Sequence, residues 1–247
     1  MRGTLLLAGS GSNVALTREL VSVCTPEGAA TPTVADSIGS TGGVRALIDG
    51  AIDAALISRP LHPDERRHGL EVIAYARVPV VVAAHPDVPP VQWQPADLVA
   101  VYAGRHPTWP DGQPLVVLQR EPGDSGHLAV ARALPEFARV DDDNAQRRRW
   151  RTVYHDAALL QAVARAPGAL GLSDLATIRL QGANVAVPAL AGQSPGAAAL
   201  AARRWPFYKD LSVVLAPGAA AEVRRLARCF RGPLARPVLL RADALGL

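Results

Sequence analysis

Three short glycine/serine-rich stretches constrain this chain most. They are Gly9-Ser10-Gly11-Ser12-Asn13, Ile38-Gly39-Ser40-Thr41-Gly42-Gly43 and Arg120-Glu121-Pro122-Gly123-Asp124-Ser125-Gly126. Each follows an apolar or β-branched run and precedes residues with helical spacing. A strand, a glycine turn and a helix in succession aim several backbone N–H groups, and the positive end of the helix dipole, at one point. A single junction of this kind is an ordinary turn and cap. Three of them, the last led by an arginine, predict a cage for a small oxyanion.

The rest of the pattern alternates in the same way. Residues 5–8, 52–57, 78–84, 115–118, 169–172 and 211–215 are expected strands, and 31–38 is β-rich. Residues 13–23, 61–69, 97–102, 125–134, 156–164 and 219–230 have helical spacing, as does a segment around Val44, Leu47 and Ile48 that Gly50 stops. The run 78–84 is continuously apolar, as in strands buried on both faces of a parallel sheet. Alternating strands and helices predict an α/β fold with mainly parallel sheets.

Composition narrows the function classes. At 247 residues the chain is one large domain or two small ones. Hydrophobic residues make up 49% and aromatics only 4%, which suits aliphatic α/β layers and not a stacking platform for bases. The formal charge of +4 includes Arg147, Arg148, Arg149 and Arg151, which Asp141, Asp142 and Asp143 offset locally. That run reads as a solvated face, and no nucleic-acid partner is expected. Cys24 and Cys229 form no C-x-x-C motif, so no metal or redox centre is expected. They are either small core residues or a single disulfide. No apolar run is long enough to span a bilayer. The opening apolar stretch reads as the first strand, not as a secretory core. The chain is cytoplasmic if Met1 is native, and periplasmic or otherwise extracytoplasmic if an export signal has been removed.

With these elements in place, the chain resembles the phosphate-binding protein family of bacterial ABC importers, within the periplasmic-binding-protein superfamily. Residues 9–13 resemble the family's first glycine/serine turn. The segment SIGSTGGVRALIDGAIDAALISRPL, residues 37–61, is the most specific match. VVLQREPGDSG resembles the arginine-plus-Ser-Gly turn of the second domain. LLQAVARAPGALGL and WPFYKDLSVVL resemble later family segments. The resemblance implies a type II, two-lobed α/β fold, each lobe a mainly parallel sheet flanked by helices, with ligand in the interlobe cleft. Residues 1–83 plus 206–247 would form lobe one and 84–205 lobe two. It implies a non-enzymatic monomer that hands phosphate to an ABC permease, with no cofactor, metal or membrane insertion.

The expected ligand-binding residues are Ser12, Asn13, Ser40, Thr41 and Ser58 from the first lobe. Arg120, Asp124, Ser125, Gly126 and His127 are expected from the second. A guanidinium is a rigid fork of donors that fits two oxygens of one tetrahedral anion, which singles out Arg120. The chain also departs from the family. Ser58 stands where phosphate binders carry an aspartate, Asp124 lengthens the third turn by one residue, and Asn13 and His127 replace threonines. Asp124 either supplies the missing acceptor or only caps its helix. Arg59 either adds a second cation or faces solvent. Three rival readings follow: a ligand sensor on the same fold outside transport, another oxyanion cargo such as molybdate, tungstate, sulfate or a phosphonate, and a serine hydrolase using His85 and Ser125.

Overall fold

A computed structural model describes residues 4–247. The chain forms two compact units. The first runs up to Arg77 and resumes at Asp210–Leu247, and the second is Val78–Lys209.

In chain order, β1 (Leu6–Gly9) leads to α1 (Gly11–Cys24), β2 (Thr33–Val34), α2 (Gly39–Ile48), β3 (Ala54–Ile57) and the short α3 (Pro63–Arg66). The long β4 (Glu71–Ala84) passes from the first unit into the second. There follow α4 (Asp97–Tyr102), β5 (Val116–Arg120), α5 (Ser125–Ala133), α6 (Pro135–Arg147), β6 (Arg151–Val153), α7 (Asp156–Arg165), β7 (Ala169–Asp174), α8 (Leu175–Gln181) and α9 (Ala197–Ala201). β8 (Tyr208–Leu215) returns to the first unit. A last helical group, α10 (Ala221–Cys229), a 3-10 turn (Pro233–Ala235) and α11 (Arg236–Arg241), ends in β9 (Leu245–Gly246).

The first unit pairs β1 in parallel with both β2 and β3, and β8 closes antiparallel on β3 with Ala55 opposite Val214. β9 lies antiparallel on the first half of β4, Ala76 opposite Gly246. In the second unit β5 runs parallel to β6 and β7, and β7 is antiparallel to the second half of β4. Parallel pairs therefore carry the glycine turns, and the antiparallel strands belong to the segments that change unit. These changes fall inside β4 and β8, at residues 77/78 and 209/210. The physical reason is strand length. β4 starts seven residues before the apolar run at 78–84, and its first half has a mixed exposed and buried pattern that sequence periodicity hides.

All four residues of β3 are buried, and α2 seals it with Val44 and Leu47 against Ala55, Ile57, Leu61 and Val214. In the second unit Leu118, Val153, Leu159, Val163 and Ala169 form the matching layer between β5, β6, β7 and α7. The first two glycine turns exist because two backbones nearly touch. Gly9 has φ +150°, and a Cβ there would lie 2.0 Å from the Leu56 carbonyl oxygen. A Cβ on Gly43 would lie 2.7 Å from the Gly9 Cα. Glycine at both positions lets the first turn of α2 lie directly on the end of β1.

Cys24 and Cys229 are joined by a disulfide with Cα atoms 5.9 Å apart. It ties the last residue of α1 to the last residue of α10, so both ends of the first unit's chain are fastened across 205 residues of sequence.

Candidate functional site

In the first unit, the ends of β1 and β3 and the starts of α1 and α2 meet at a cluster of hydroxyls. Ser10 is the N-cap of α1, and its Oγ lies 2.7 Å from the Ser58 Oγ at the end of β3. The Ser58 N–H donates to the Ser40 Oγ in the first turn of α2, 3.3 Å away. The Ser10 N–H donates to the Leu56 carbonyl at 2.8 Å, and the Ile38 N–H to the Gly9 carbonyl at 3.0 Å, which locks the two turns together. Ser10, Ser12 and Ser58 are all buried. Neither α1 nor α2 has a side-chain cap, and neither has an acidic residue in its first turn. The leading N–H groups of two helices, of 14 and 10 residues, are thus left without an internal carboxylate. Such a nest suits a small anion.

The other first-unit candidates face elsewhere. The Asn13 amide donates inward to the Ile57 carbonyl (3.3 Å) and the Tyr75 hydroxyl (3.0 Å), and the residue is fully buried. Its side chain braces α1 against β3 and β4. Thr41 Oγ1 accepts from Arg59 Nη2 at 2.8 Å. Arg59 neither faces solvent nor offers a free fork, because it makes a two-pronged pair with Glu65 at 2.7 and 2.8 Å. That hydrogen-bonded pairing holds the Glu65 carboxyl below the usual carboxylate range.

In the second unit Arg120 ends β5 as expected, with its side chain only 4% exposed. Its fork is already occupied. Nε and Nη2 donate to the two Glu121 oxygens (3.0 and 3.1 Å), Nη1 to Asp156 (2.9 Å), and Nη2 also to the Tyr154 carbonyl (3.2 Å), with Asp124 at 3.5 Å. Burial alone would lower the guanidinium's pKa, but Asp124, Asp156 and Glu121 together hold it above its ordinary value. Asp124 caps α5, where one oxygen accepts from the Gly126 N–H (2.9 Å) and the His127 N–H (3.1 Å). The amides expected at a ligand are therefore given to the chain's own carboxylate. The His127 ring turns into the core, bonding Asp141 at 2.7 Å and meeting Tyr102 and Phe137 edge-on. Ser125 remains at the first turn of α5, where Lys209 Nζ donates to its hydroxyl at 3.4 Å.

Lys209 was not visible as a site residue, although it is the chain's single lysine beside 25 arginines and sits in an apolar strand. It is 3% exposed and pairs with Asp174 at 3.3 Å, while Asp174 also caps α8 through the Thr177 N–H. A compact ammonium fits between β8, α5 and β7 where a guanidinium fork would not. The three helices α5, α7 and α8 thus each begin with an aspartate, namely Asp124, Asp156 and Asp174. In the first unit α1 and α2 have none.

The two buried carboxylates beside Arg120 titrate in opposite directions. Burial pushes Asp124 up, but Arg120, Lys209 and His127 outweigh it and hold the carboxyl below its usual range. Burial also pushes Asp156 up; Arg120 and Lys209 oppose this, but the negative Asp124 and Asp174 reinforce it and the net shift is upward. A depressed carboxylate stabilises the fold above its unfolded pKa, and this is lost as pH falls through the folded value. A raised one favours the fold at low pH, and this is lost as pH rises through the folded value. Asp124→Asn is accordingly expected to lower the melting temperature at pH 7, whereas Asp156→Asn leaves it unchanged or raises it. Melting curves of both variants between pH 3 and 8 decide this, and the reverse order would refute the charge assignment.

The serine hydrolase reading requires Ser125 and His85 to meet, and the described contacts of the two residues lead in different directions. The His85 N–H bonds the Ala169 carbonyl at one end of the β4–β7 ladder, and its Nδ1 accepts from the Asp87 N–H. Ser125 is held by Lys209, whose partner Asp174 lies opposite Val80. Five strand residues separate Val80 from His85, about 17 Å.

Two α/β units joined by two strands, with uncapped helix starts gathered on serines, define the class of two-lobed binding proteins. The chain belongs to the PBP superfamily, whose domain matches residues 1–230. Solved structures agree in fold. A phosphate ABC transporter substrate-binding protein with bound phosphate from Clostridium perfringens superposes with a TM-score of 0.83 at 14% identity, over 99% of this chain and 100% of that one. An ABC-type phosphate transport receptor from Vibrio cholerae gives 0.67 at 16% identity, over 98% and 99%. The reduced form of OxyR from Neisseria meningitidis gives 0.69 at 10% identity, over 99% and 98%. No curated protein matches the chain.

Proposed function

We propose that this chain is a substrate-binding protein for a small tetrahedral oxyanion, inorganic phosphate before any other, and that it delivers the anion to an ABC importer. The observation that carries the reading is the pair of helix N-termini, α1 and α2, that converge on Ser10, Ser40 and Ser58 with no acidic residue and no side-chain cap. Phosphate-bound structures of the same fold support phosphate as the cargo. Ser12 and the backbone N–H of Thr41, in the first turn of α2, flank the nest as further donors. In the second unit Ser125 and the Gly126 and His127 amides take part only when Asp124 leaves its cap. Arg120 serves as the holder of Asp124, Asp156 and Glu121. Asp124 is therefore an internal competitor of the ligand, and binding has to overcome it. The disulfide supports an oxidising, extracytoplasmic location.

Ser10→Asp tests the reading directly. It gives α1 the same kind of carboxylate that α5 already has. The variant is expected to abolish phosphate binding by calorimetry while raising the stability of the fold by about 0.5–1 kcal/mol, as a charged N-cap does. Undiminished phosphate binding in this variant would overturn the site. A thermal-shift series with phosphate, arsenate, sulfate, molybdate, tungstate and phosphonates ranks the cargo.

A further inference from the structure

The last helical group of the first unit concentrates charge that the proposed anion site does not use. Between residues 221 and 247 there are six arginines and two acidic residues, so this segment alone equals the formal +4 excess of the whole chain. Three of the arginines are neutralised locally, Arg224 by Glu71, Arg225 by Glu222 and Arg241 by Glu19. Arg228 and Arg236 are exposed and have no carboxylate partner among the described residues, and Arg231 donates to the Leu247 carbonyl. Two leucines stand out among these cations. Leu234 is 59% exposed and Leu240 is 74% exposed, the highest value among the exposed large hydrophobic residues.

Helix geometry places these groups together. Arg236 and Leu240 are four residues apart in α11 and share one face, while Arg228 is the exposed residue before Cys229 at the end of α10 and Arg231 lies in the turn that follows. The opposite faces are committed to the core, since Leu226, Ala227, Ala235, Val238 and Leu239 are buried. The disulfide at Cys229 fastens α10 to α1, so the outward face is held in place. The geometry points to an anionic phospholipid surface as the partner of this face. Protruding leucines enter the boundary between headgroups and acyl chains, while arginines bury their stems and keep their guanidinium groups at the phosphates. An acidic protein would pair with the arginines but gives no reason for two bare leucines without a pocket around them.

The test is flotation of the whole chain with vesicles of phosphatidylcholine alone and of phosphatidylcholine mixed with phosphatidylglycerol. Retention is expected on the mixed vesicles only, and high salt should release it. Arg228→Glu with Arg236→Glu should abolish it, and Leu234→Ser with Leu240→Ser should weaken it roughly tenfold. All four positions are exposed, so both double variants should melt as the parent does. Equal binding to neutral vesicles, no binding to mixed ones, or mixed-vesicle binding unchanged in both variants would overturn the proposal. So would capture on polyglutamate resin that the leucine variant retains, with no vesicle binding, which would give the face to an acidic protein. Phosphate binding is measured alongside and is expected to be unchanged in both variants, which separates this result from the fate of the anion site.

Discussion

Arg120→Ala should unfold the second unit far more readily than it should weaken any ligand. The guanidinium is 4% exposed and is the cation nearest to Asp156, with Glu121 and Asp124 also resting on it. Removing one member of a buried ion cluster leaves the others uncompensated and costs about 3–5 kcal/mol. Chemical denaturation of the variant at pH 7 measures the loss. Adding Asp156→Asn to Arg120→Ala should restore part of it, because the neutral amide no longer needs a counter-charge. A near-native midpoint for the single variant, or no recovery in the double one, would show that the cluster does not hold the second unit together.

Opening the disulfide is the second large effect, and it falls on the other unit. Closing a loop across 205 residues restricts the unfolded chain heavily. On the chain-entropy account the bond contributes about 5 kcal/mol as an upper figure. With roughly 2–4 °C per kcal/mol for a chain of this size, a fall of about 10–20 °C is the ceiling for Cys24→Ser with Cys229→Ser, or for reduction by dithiothreitol. Hydrogen exchange should place the loss in α1 and α10 and leave β5 and β7 of the second unit protected. A melting temperature unmoved by reductant would remove the disulfide from any account of stability.

Much of the fold was legible because its signals are local. β1, α1, α4, α5, α7 and β3 coincide with expected elements to within a few residues, since each combines an apolar period with a glycine, serine or aspartate at its edge. What escaped was amphipathic or short. α6 carries Asp141, Asp142, Asp143 and five further polar residues, and only its buried Phe137 and Asn144 reveal the inner face. The expected β-rich stretch 31–38 shrinks to Thr33–Val34; Ala35 still bonds the Leu7 carbonyl, and Ser37 and Ile38 then turn onto the Gly9 carbonyl.

The candidate site divides along the same line. Ser40 and Ser58 were expected site residues, whereas Ser10 was only a member of the first glycine turn, where Ser12 and Asn13 were expected to act. The fate of Arg120 was not legible, because its carboxylates come from positions 121, 124 and 156, and no local spacing announces the last of these. Asn13 and His127 were read from their places next to the turns, but their rings and amides answer to Tyr75 and Asp141, residues brought near only by the tertiary fold.

The solitary lysine has a practical consequence for chemistry done on this protein. Its amine is packed under β8, so reagents that acylate or cross-link ε-amines find no target on the folded surface. Modification at Lys209 would mark molecules whose second unit has come apart, which makes the residue a built-in gauge of opening for mass spectrometry.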